Sequence, residues 1–354
     1  MPSRRPDRRD FLRGPANLVR SGTGDASSKG AAADTYLIQF TRNAMGCQFE
    51  VLLNADQAKD DSETALEVLD HVEFLEHKLS LYQPHSELCQ LNRAAVGEEY
   101  PVDDDLWPLL AFAEQLHDET AGAYDITMSP LSRLWGFHHR NGRLPSPVEI
   151  ADTLTSVGMH LVQLDHQAHT VTRLHKKVEL SFASLGKGYA LDRCDRLLAA
   201  SGAHDYLLHG GYSSMLGRGR RLASAAPAGS WCVALRDPDR AEHRLGRIRL
   251  DDSALGTSGL ANQSFLHQGR RYGHLLDPRT GHPVDHLVSA TAVAPQAMWA
   301  DALATAFFVM GRQGTEDYCR NHPEVGAVLV APGKGPGRRE TIVIGRAAEH
   351  WLPD

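Results

Sequence analysis

The alternation of hydrophobic and polar residues predicts short strands along most of the chain, with helices among them. Near the N-terminus, two alternating segments flank Met45-Gly46, which predicts a hairpin or a bulged strand. Later strands are separated by glycine-rich turns. The predicted strands are 36–40, 48–53, 162–164, 170–173, 178–180, 207–209, 231–235, 243–250, 272–276, 289–293, 325–330 and 340–344.

Apolar residues recur at helical spacing in several segments. The clearest, 61–81, places Leu66, Leu69, Val72, Leu75 and Leu79 on one stripe. The other predicted helices are a short one capped by Ser86 and the segments 104–120, 147–157, 186–200 and 301–310. Strands grouped with helices, without strict alternation, favour an α+β fold of mixed or antiparallel strands over a doubly wound parallel sheet. We expect one compact unit over residues 36–350.

Composition and charge exclude several classes of protein. The chain has 354 residues and 42% apolar content, enough for one large core or two modest ones. A net charge of −7, with no basic stripe among aromatics, gives no reason to expect a nucleic acid partner. Five cysteines without a Cys-x-x-Cys pair predict neither a disulfide framework nor a zinc site. No segment is long enough to span a membrane.

The first 35 residues leave the cellular location open. Arg8 to Arg13 resembles a twin-arginine export signal of bacteria, which would lead to the periplasm or cell envelope. Residues 14–34 lack the apolar core that such a signal needs, so a disordered polar tail on a cytoplasmic protein is the alternative.

Candidate chemistry concentrates in Tyr272 to Pro283. An apolar strand carrying His274 runs into a turn in which Asp277-Pro278 fixes the backbone and Gly281 allows reversal. An imidazole of near-neutral pKa is a candidate general base. In a chain with 19 histidines, a surface or core role is the alternative for any one of them. Asp277 could orient the imidazole or shape the adjoining site, and a tight turn with an Arg279 salt bridge can be present at the same time.

Asp301 and Thr305 are four residues apart in an apolar helix, which places both oxygens on one face. Such a pair suits Mg²⁺, which prefers few protein oxygens together with water and phosphate. Alternatively, Asp301 caps the helix and Thr305 bonds back to a carbonyl. Lys187, near a predicted helix start with small neighbours, could meet a phosphate. Thr257-Ser258-Gly259 is expected to form a hydroxyl-rich turn.

Together these motifs resemble the ApbE family, the FAD:protein FMN transferases. Most specific are His-x-x-Asp-Pro-Arg-Thr-Gly at 274–281 and Ala-Asp-Ala-Leu-Ala-Thr at 300–305. The resemblance implies an α+β unit that binds FAD, uses Mg²⁺, and moves FMN onto a threonine or serine of a target flavoprotein with release of AMP. The similar segments, in order, are 45–46, 80, 86–92, 122–131, 134–137, 185–192, 210–211, 257–259, 274–283 and 300–311.

The resemblance also implies residue roles. His274 matches the family's catalytic histidine, and Ala183, through its carbonyl, is implied to bind the metal with Asp301 and Thr305. The implied cofactor-binding residues are Met45, Tyr82, Asp125, Lys187, Asp192, Thr257, Ser258, Gly259, His274 and Asp277.

One departure from the family pattern bears on the metal. The family usually has Asp-Leu-Gly-Gly or Asp-Leu-Gly-Ala where this chain has Ser181-Phe182-Ala183-Ser184. With one carboxylate fewer, Mg²⁺ should bind more weakly. Two alternatives to the transferase therefore stay open. One is an FAD pyrophosphatase that releases FMN and AMP, and the other is a noncatalytic FAD-binding protein.

Overall fold

The computed structural model describes residues 36–138, 141–222, 229–238, 240–260, 263–335 and 338–353. The predicted polar tail, residues 1–35, lies outside these residues, as does its arginine-rich start. The segment Thr35–Asp354 forms one compact unit. In the part of the chain that is described, no helix is both long and apolar enough to cross a membrane.

Strands and helices are numbered along the chain. The helices are α1 Ala58–Leu79, α2 Glu87–Arg93, α3 Trp107–Glu119, α4 Ser129–Leu134, α5 Pro147–Leu154, α6 Gly186–Ser201, α7 Ala297–Asn321 and α8 Ala347–His350. The strands are β1 Leu37–Ala44, β2 Cys47–Asn54, β3 Glu99–Pro101, β4 Val162–Asp165, β5 Thr170–Arg173, β6 Tyr206–Gly210, β7 Ser214–Arg218, β8 Trp231–Asp237, β9 Arg240–Leu250, β10 Ser253–Gly259, β11 Ser264–His267, β12 Arg270–Gly273, β13 Ser289–Ala294, β14 Gly326–Pro332, β15 Arg339–Gly345 and β16 Trp351–Pro353.

The predicted hairpin at Met45-Gly46 is confirmed. Strands β1 and β2 pair antiparallel from Leu37 opposite Asn54 to Ala44 opposite Cys47. Both turn residues have positive φ, 51° and 71°. Positive φ at both central positions is typical of the hairpin turns whose twist matches that of the strands.

The α+β class is also confirmed. Among the described residues, the main sheet has eight strands in the order β1-β2-β6-β7-β10-β13-β14-β15, and each neighbouring pair is antiparallel. Helices α1, α6 and α7 pack on one face of it. The small sheet β16-β9-β8 covers the other face, where its Trp231 and Ile248 share a core cluster with Leu255 of β10. The sheet is therefore buried on both sides.

Some predicted details are wrong. Residues 178–180 are not a strand, because Asn92 bonds the N–H and the carbonyl of Leu180. The strand that was expected to carry His274 ends at Gly273. Thr257-Ser258-Gly259 is not a turn but the end of β10, paired with β13. Leu66 is 48% exposed, since the buried stripe of α1 runs through Ala65, Val68, Leu69, Val72 and Leu75 instead.

Helix α7 is longer than the predicted 301–310 and is interrupted at Gly311. This residue has φ 70° and ψ −167° inside the helix. A Cβ at Gly311 would also lie 2.9 Å from Nε2 of His286. The predicted end at residue 310 therefore corresponds to this break, after which a second helical segment continues.

Asp192 joins α6 to α7. Its carboxylate oxygens accept hydrogen bonds from the backbone N–H groups of Ala297, at 2.7 Å, and Met298, at 2.8 Å. These are N–H groups of the first helical turn, which have no partner within the helix. Asp192 thus caps α7 from a neighbouring helix.

Replacing Asp192 by alanine should lower the free energy of unfolding by about 2 kcal/mol, because a cap is lost and buried N–H groups stay unpaired. Urea unfolding followed by circular dichroism measures the change. The matched control is Asp104→Ala at an exposed carboxylate, which should change stability by less than about 0.5 kcal/mol. Equal losses in both variants would contradict the capping role.

Candidate active site

Asp301 is held by hydrogen bonds from two other elements. Its side chain is buried, with the residue only 5% exposed. One oxygen accepts from the backbone N–H of Gly188 at 3.1 Å, and the other accepts from the hydroxyl of Ser214 at 2.8 Å. The Nζ atom of Lys187 lies 3.8 Å from the second oxygen. The start of α6 and the first residue of β7 therefore fix this carboxylate.

Two glycines allow the close packing around Asp301. A Cβ at Gly188 would lie 2.1 Å from the carbonyl oxygen of Ala297, and one at Gly256 would lie 2.4 Å from that of Ala300. Any larger residue would push α6 or β10 away from the first turn of α7. These glycines are required by backbone contact rather than by φ.

The tip of the first hairpin lies on the same side. Burial raises the pKa of the Cys47 thiol, while the nearby Lys187 ammonium lowers this pKa and Asp301 raises it. The Cys47 thiol therefore lies close to both Lys187 and Asp301. Met45, two residues earlier, is half-buried and packs against the main core.

Hydroxyl groups extend the cluster along α7 and β10. Thr305, one turn after Asp301, lies 2.9 Å from the hydroxyl of Ser258, measured between the two oxygens. Thr257 pairs with Thr291 across the β10–β13 ladder, again at 2.9 Å. The structure thus brings Lys187, Asp301, Thr305 and Ser258 together around the first turns of α7.

The turn before α6 carries Ala183. Its N–H points to the Ser181 hydroxyl at 3.4 Å, and the residue is exposed. Its carbonyl accepts no hydrogen bond from the described residues. The next residue, Ser184, bonds the buried Tyr124 hydroxyl at 3.0 Å, which anchors the turn on the core.

The chemistry of these oxygen groups suits Mg²⁺. A carboxylate, a free carbonyl and a hydroxyl are hard oxygen ligands of the kind that this ion prefers. Among the residues the structure describes, no group of three His, Cys, Asp or Glu side chains is arranged to hold a metal. Any cation here would rely on one carboxylate, with water or phosphate completing its coordination.

His274 is oriented by the main chain. Its Nδ1 atom lies 3.0 Å from the carbonyl oxygen of Gln263, which can only accept, so Nδ1 carries the proton. Nε2 is then the basic nitrogen, and no described residue bonds it. Burial lowers the pKa of His274, and the Gln263 bond opposes this only in part. The side chain is therefore a neutral base at pH 7.

Asp277 does not orient His274. Both of its carboxylate oxygens bond Arg279, at 2.8 and 2.9 Å, and the backbone N–H of Arg279 also donates to it. The tight turn with an Arg279 salt bridge is therefore present.

Tyr82 is 73% exposed and stacks on His138, with ring centroids 5.2 Å apart.

Two other predicted site carboxylates face the protein interior. Asp125 accepts hydrogen bonds from the Thr127 N–H and hydroxyl and from the Met159 N–H, and lies 3.3 Å from His117, whose pKa it raises. Asp192 caps α7, and burial raises the pKa of its carboxyl to about 6.

Sequence reasoning missed Ser214 and Gln263. Ser214 contributes a hydroxyl from a strand that no pattern predicted, and Gln263 contributes only a main-chain carbonyl. Neither role leaves a signal in the sequence, since one depends on sheet order and the other on a backbone atom that every residue has.

Comparison with known proteins gives the family. The ApbE family model matches residues 45–329. The FAD:protein FMN transferase of Salmonella typhimurium is 28% identical over 297 residues, covering 82% of this chain and 83% of the relative. The FAD:protein FMN transferase of Treponema pallidum is 30% identical over 282 residues, covering 76% and 77%.

Solved structures agree. The crystal structure of the Thermotoga maritima ApbE protein matches with a TM-score of 0.76 and 26% identity, over 89% of this chain and 98% of that one. The apo form of Pseudomonas stutzeri flavinyl transferase ApbE matches with a TM-score of 0.76 and 28% identity, over 90% and 98%. Because the family model spans most of the chain and the fold agrees, this chain belongs to the ApbE family.

Proposed function

We propose that this chain is an FAD:protein FMN transferase that moves FMN from FAD onto a threonine or serine hydroxyl of a target flavoprotein. The names of its relatives in Salmonella and Treponema support this. The observation that carries the proposal is the geometry of His274, whose Nδ1 donates to the Gln263 carbonyl while Nε2 stays free to accept a proton. A transfer to an alcohol needs such a base.

In the proposed reaction, the acceptor hydroxyl attacks the phosphorus on the FMN side of the FAD pyrophosphate. Its proton passes to Nε2 of His274. A new oxygen–phosphorus bond forms as the bond to the AMP phosphate breaks, and AMP leaves with the electron pair. His274 is the catalytic base, while the Gln263 carbonyl fixes its tautomer.

Asp301, Thr305 and the Ala183 carbonyl would hold Mg²⁺, which supplies positive charge to the phosphates when bound. Lys187 lies beside Asp301. Its ammonium group would form charged hydrogen bonds with the same phosphates. Ser214 and Gly188 keep the Asp301 carboxylate in one orientation through their hydrogen bonds.

The remaining predicted residues divide into two groups. We assign Met45, Tyr82, Thr257, Ser258 and Gly259 to the walls of the FAD site, since their side chains or backbone lie at the hairpin tip, in the exposed turn after α1 or beside Thr305.

Asp125, Asp192 and Asp277 form the second group. Their carboxylates are already bonded to protein groups, so their contacts support positioning of the surrounding segments rather than direct cofactor contact.

The first prediction concerns His274→Ala. Loss of the base should slow transfer by about 10²- to 10⁴-fold and leave FAD binding intact. The measurement is the intact mass of a threonine-bearing acceptor flavoprotein after incubation with FAD and Mg²⁺, which should rise by one FMN group only with the wild-type chain.

The matched control is His282→Ala, at an exposed histidine of the same turn, which should keep transfer. Undiminished transfer by His274→Ala would contradict the base role. Free FMN and AMP without acceptor labelling would favour a pyrophosphatase, and intact FAD would favour a binding protein.

The second prediction concerns pH. Because burial lowers the pKa of His274 below its ordinary value of 6.5, the neutral base persists as the pH falls through that value. We expect kcat/KM for transfer to fall on the acid side, with the midpoint of this fall below about pH 6.5. His282→Ala should give the same profile. An acid limb centred at or above about pH 7 would exclude His274 as the titrating base.

The third prediction concerns the metal. Asp301→Asn should abolish transfer, so that added Mg²⁺ no longer has any effect on it. The variant should also show no Mg²⁺ binding in calorimetric titration. Ser181→Asp adds a carboxylate to the turn that carries Ala183 and should tighten Mg²⁺ binding by about tenfold. Asp285→Asn, at an exposed carboxylate paired with Arg270, is the control and should change neither property. Unchanged Mg²⁺ affinity in both site variants would rule out this ligand set.

A further inference from the structure

A cationic groove lies beside the turn that carries Ala183. It encloses about 420 Å³ between α2, α4 and the segment that follows β5. Its lining includes five basic residues and one acidic residue among the described residues, namely Arg93, Arg133, Arg173, Lys176, Lys177 and Glu179. This concentration of positive charge contrasts with the net charge of −7 of the whole chain.

Most of these charges have no carboxylate partner in the described chain. Arg133 pairs with Glu179. Arg93 donates to the carbonyl of Pro84, which leaves its charge uncompensated. Lys176 and Lys177 are exposed, and no described residue bonds their ammonium groups. The groove therefore presents a positive potential to solvent.

Arg173 is a buried cation of the groove. The residue is only 5% exposed, and its guanidinium donates to the carbonyls of Ala94, Lys176 and Val178 at 2.8 to 3.0 Å. Its Nε atom is buried and bonds none of the described residues. No carboxylate of the described residues lies within ion-pair distance of it. Burial lowers its pKa, which reflects the cost of holding this charge without a counter-ion.

The groove is held in shape before any ligand arrives. Asn92 of α2 clamps the far end of the segment, donating to the Leu180 carbonyl at 2.9 Å and accepting from the Leu180 N–H at 2.8 Å. The Arg173 guanidinium closes the loop at its other end. A preorganised site loses less entropy on binding.

The groove also adjoins the candidate active site. Glu179 and Ala183 are four residues apart, so the chain between them spans at most about 14 Å. On the other side, Leu81 lines the groove next to the exposed Tyr82. A polypeptide beside Glu179 in the groove would thus lie within about 14 Å of the turn that carries Ala183, plus the contact distance.

We propose that this groove binds an acidic segment of the acceptor protein and so selects the polypeptide that receives FMN. The inference rests on the proposed transferase function. In the proposed transferase, Lys187 and the Mg²⁺ held by Asp301 would neutralise the FAD phosphates, so the groove is not needed for them. Its exposed cations, Arg93, Lys176 and Lys177, are supplied by two separate segments, α2 and the segment after β5, which suits several carboxylates along a chain better than one compact phosphate.

The test uses the full chain and a fluorescein-labelled peptide with glutamates on both sides of one threonine. Fluorescence anisotropy should show binding that weakens as salt rises from about 0.05 to 0.2 M. The same peptide with glutamines should not bind. Lys176→Glu with Lys177→Glu should weaken binding by about tenfold or more, because like charges then face each other. FAD binding should be unchanged in this double variant.

The matched control is Arg244→Glu with Lys334→Glu, which changes the net charge equally at exposed cations outside the groove. Equal weakening in both double variants, or displacement of the peptide by AMP or inorganic phosphate at similar concentrations, would overturn the inference.

Transfer itself separates the two proposals. With an acceptor flavoprotein, the groove variant should raise KM for the acceptor and leave kcat within about twofold. Absence of transfer by the wild-type chain would contradict the transferase proposal. Transfer with an unchanged KM for the acceptor in the groove variant would contradict only the proposal that the groove binds the acceptor.

Discussion

The structure depends on the close contact between the first turn of α7 and the backbones of α6 and β10. Gly188 and Gly256 permit it, since a Cβ at either position would overlap a main-chain carbonyl of α7. Asp192 then bonds the free N–H groups of that turn, and Asp301 bonds back to Gly188. Two buried carboxylates thus accept hydrogen bonds from backbone donors, joined at Asp301 by the Ser214 hydroxyl, and such bonds keep charged groups stable in an interior.

The same contact holds the Asp301 carboxylate in one position within the candidate site. Asp301 is fixed by partners from two elements, while Lys187 remains 3.8 Å away. His274 is fixed differently, by the hairpin of β11 and β12. Gln263 and His274 directly flank the outermost pair of that hairpin, Ser264 opposite Gly273, so the carbonyl that holds Nδ1 comes from the residue just before β11.

Charge is distributed in two ways over this molecule. Asp125, Asp192 and Asp277 are acidic residues of conspicuous motifs, yet each is bonded by protein groups. Among the described residues, most cations of the groove around Arg173 have no carboxylate partner, whereas Lys187 lies 3.8 Å from Asp301. Such cations, near the candidate site of an otherwise acidic chain, would attract anionic substrates and partners.

Local patterns in the sequence determined a good part of this protein. Alternation predicted the β1–β2 hairpin, helical spacing put Asp301 and Thr305 on one helix, and Asp-Pro-Arg-Thr-Gly predicted a turn with an Asp277–Arg279 salt bridge. These features depend on neighbours within a few residues, and the chain encodes such neighbours directly. The ordered motifs also identified the family.

Tertiary structure decided which atoms meet. Ser214 and Gly188 reach Asp301 across 87 and 113 residues of sequence, and Thr257 to Gly259 became a strand end because β13 lay beside it. The order of strands in the main sheet brings these segments together, and periodicity carries no information on that order. Partners of a side chain are set by packing between distant segments, so only the folded chain shows which carboxylates are free to act and which support the fold.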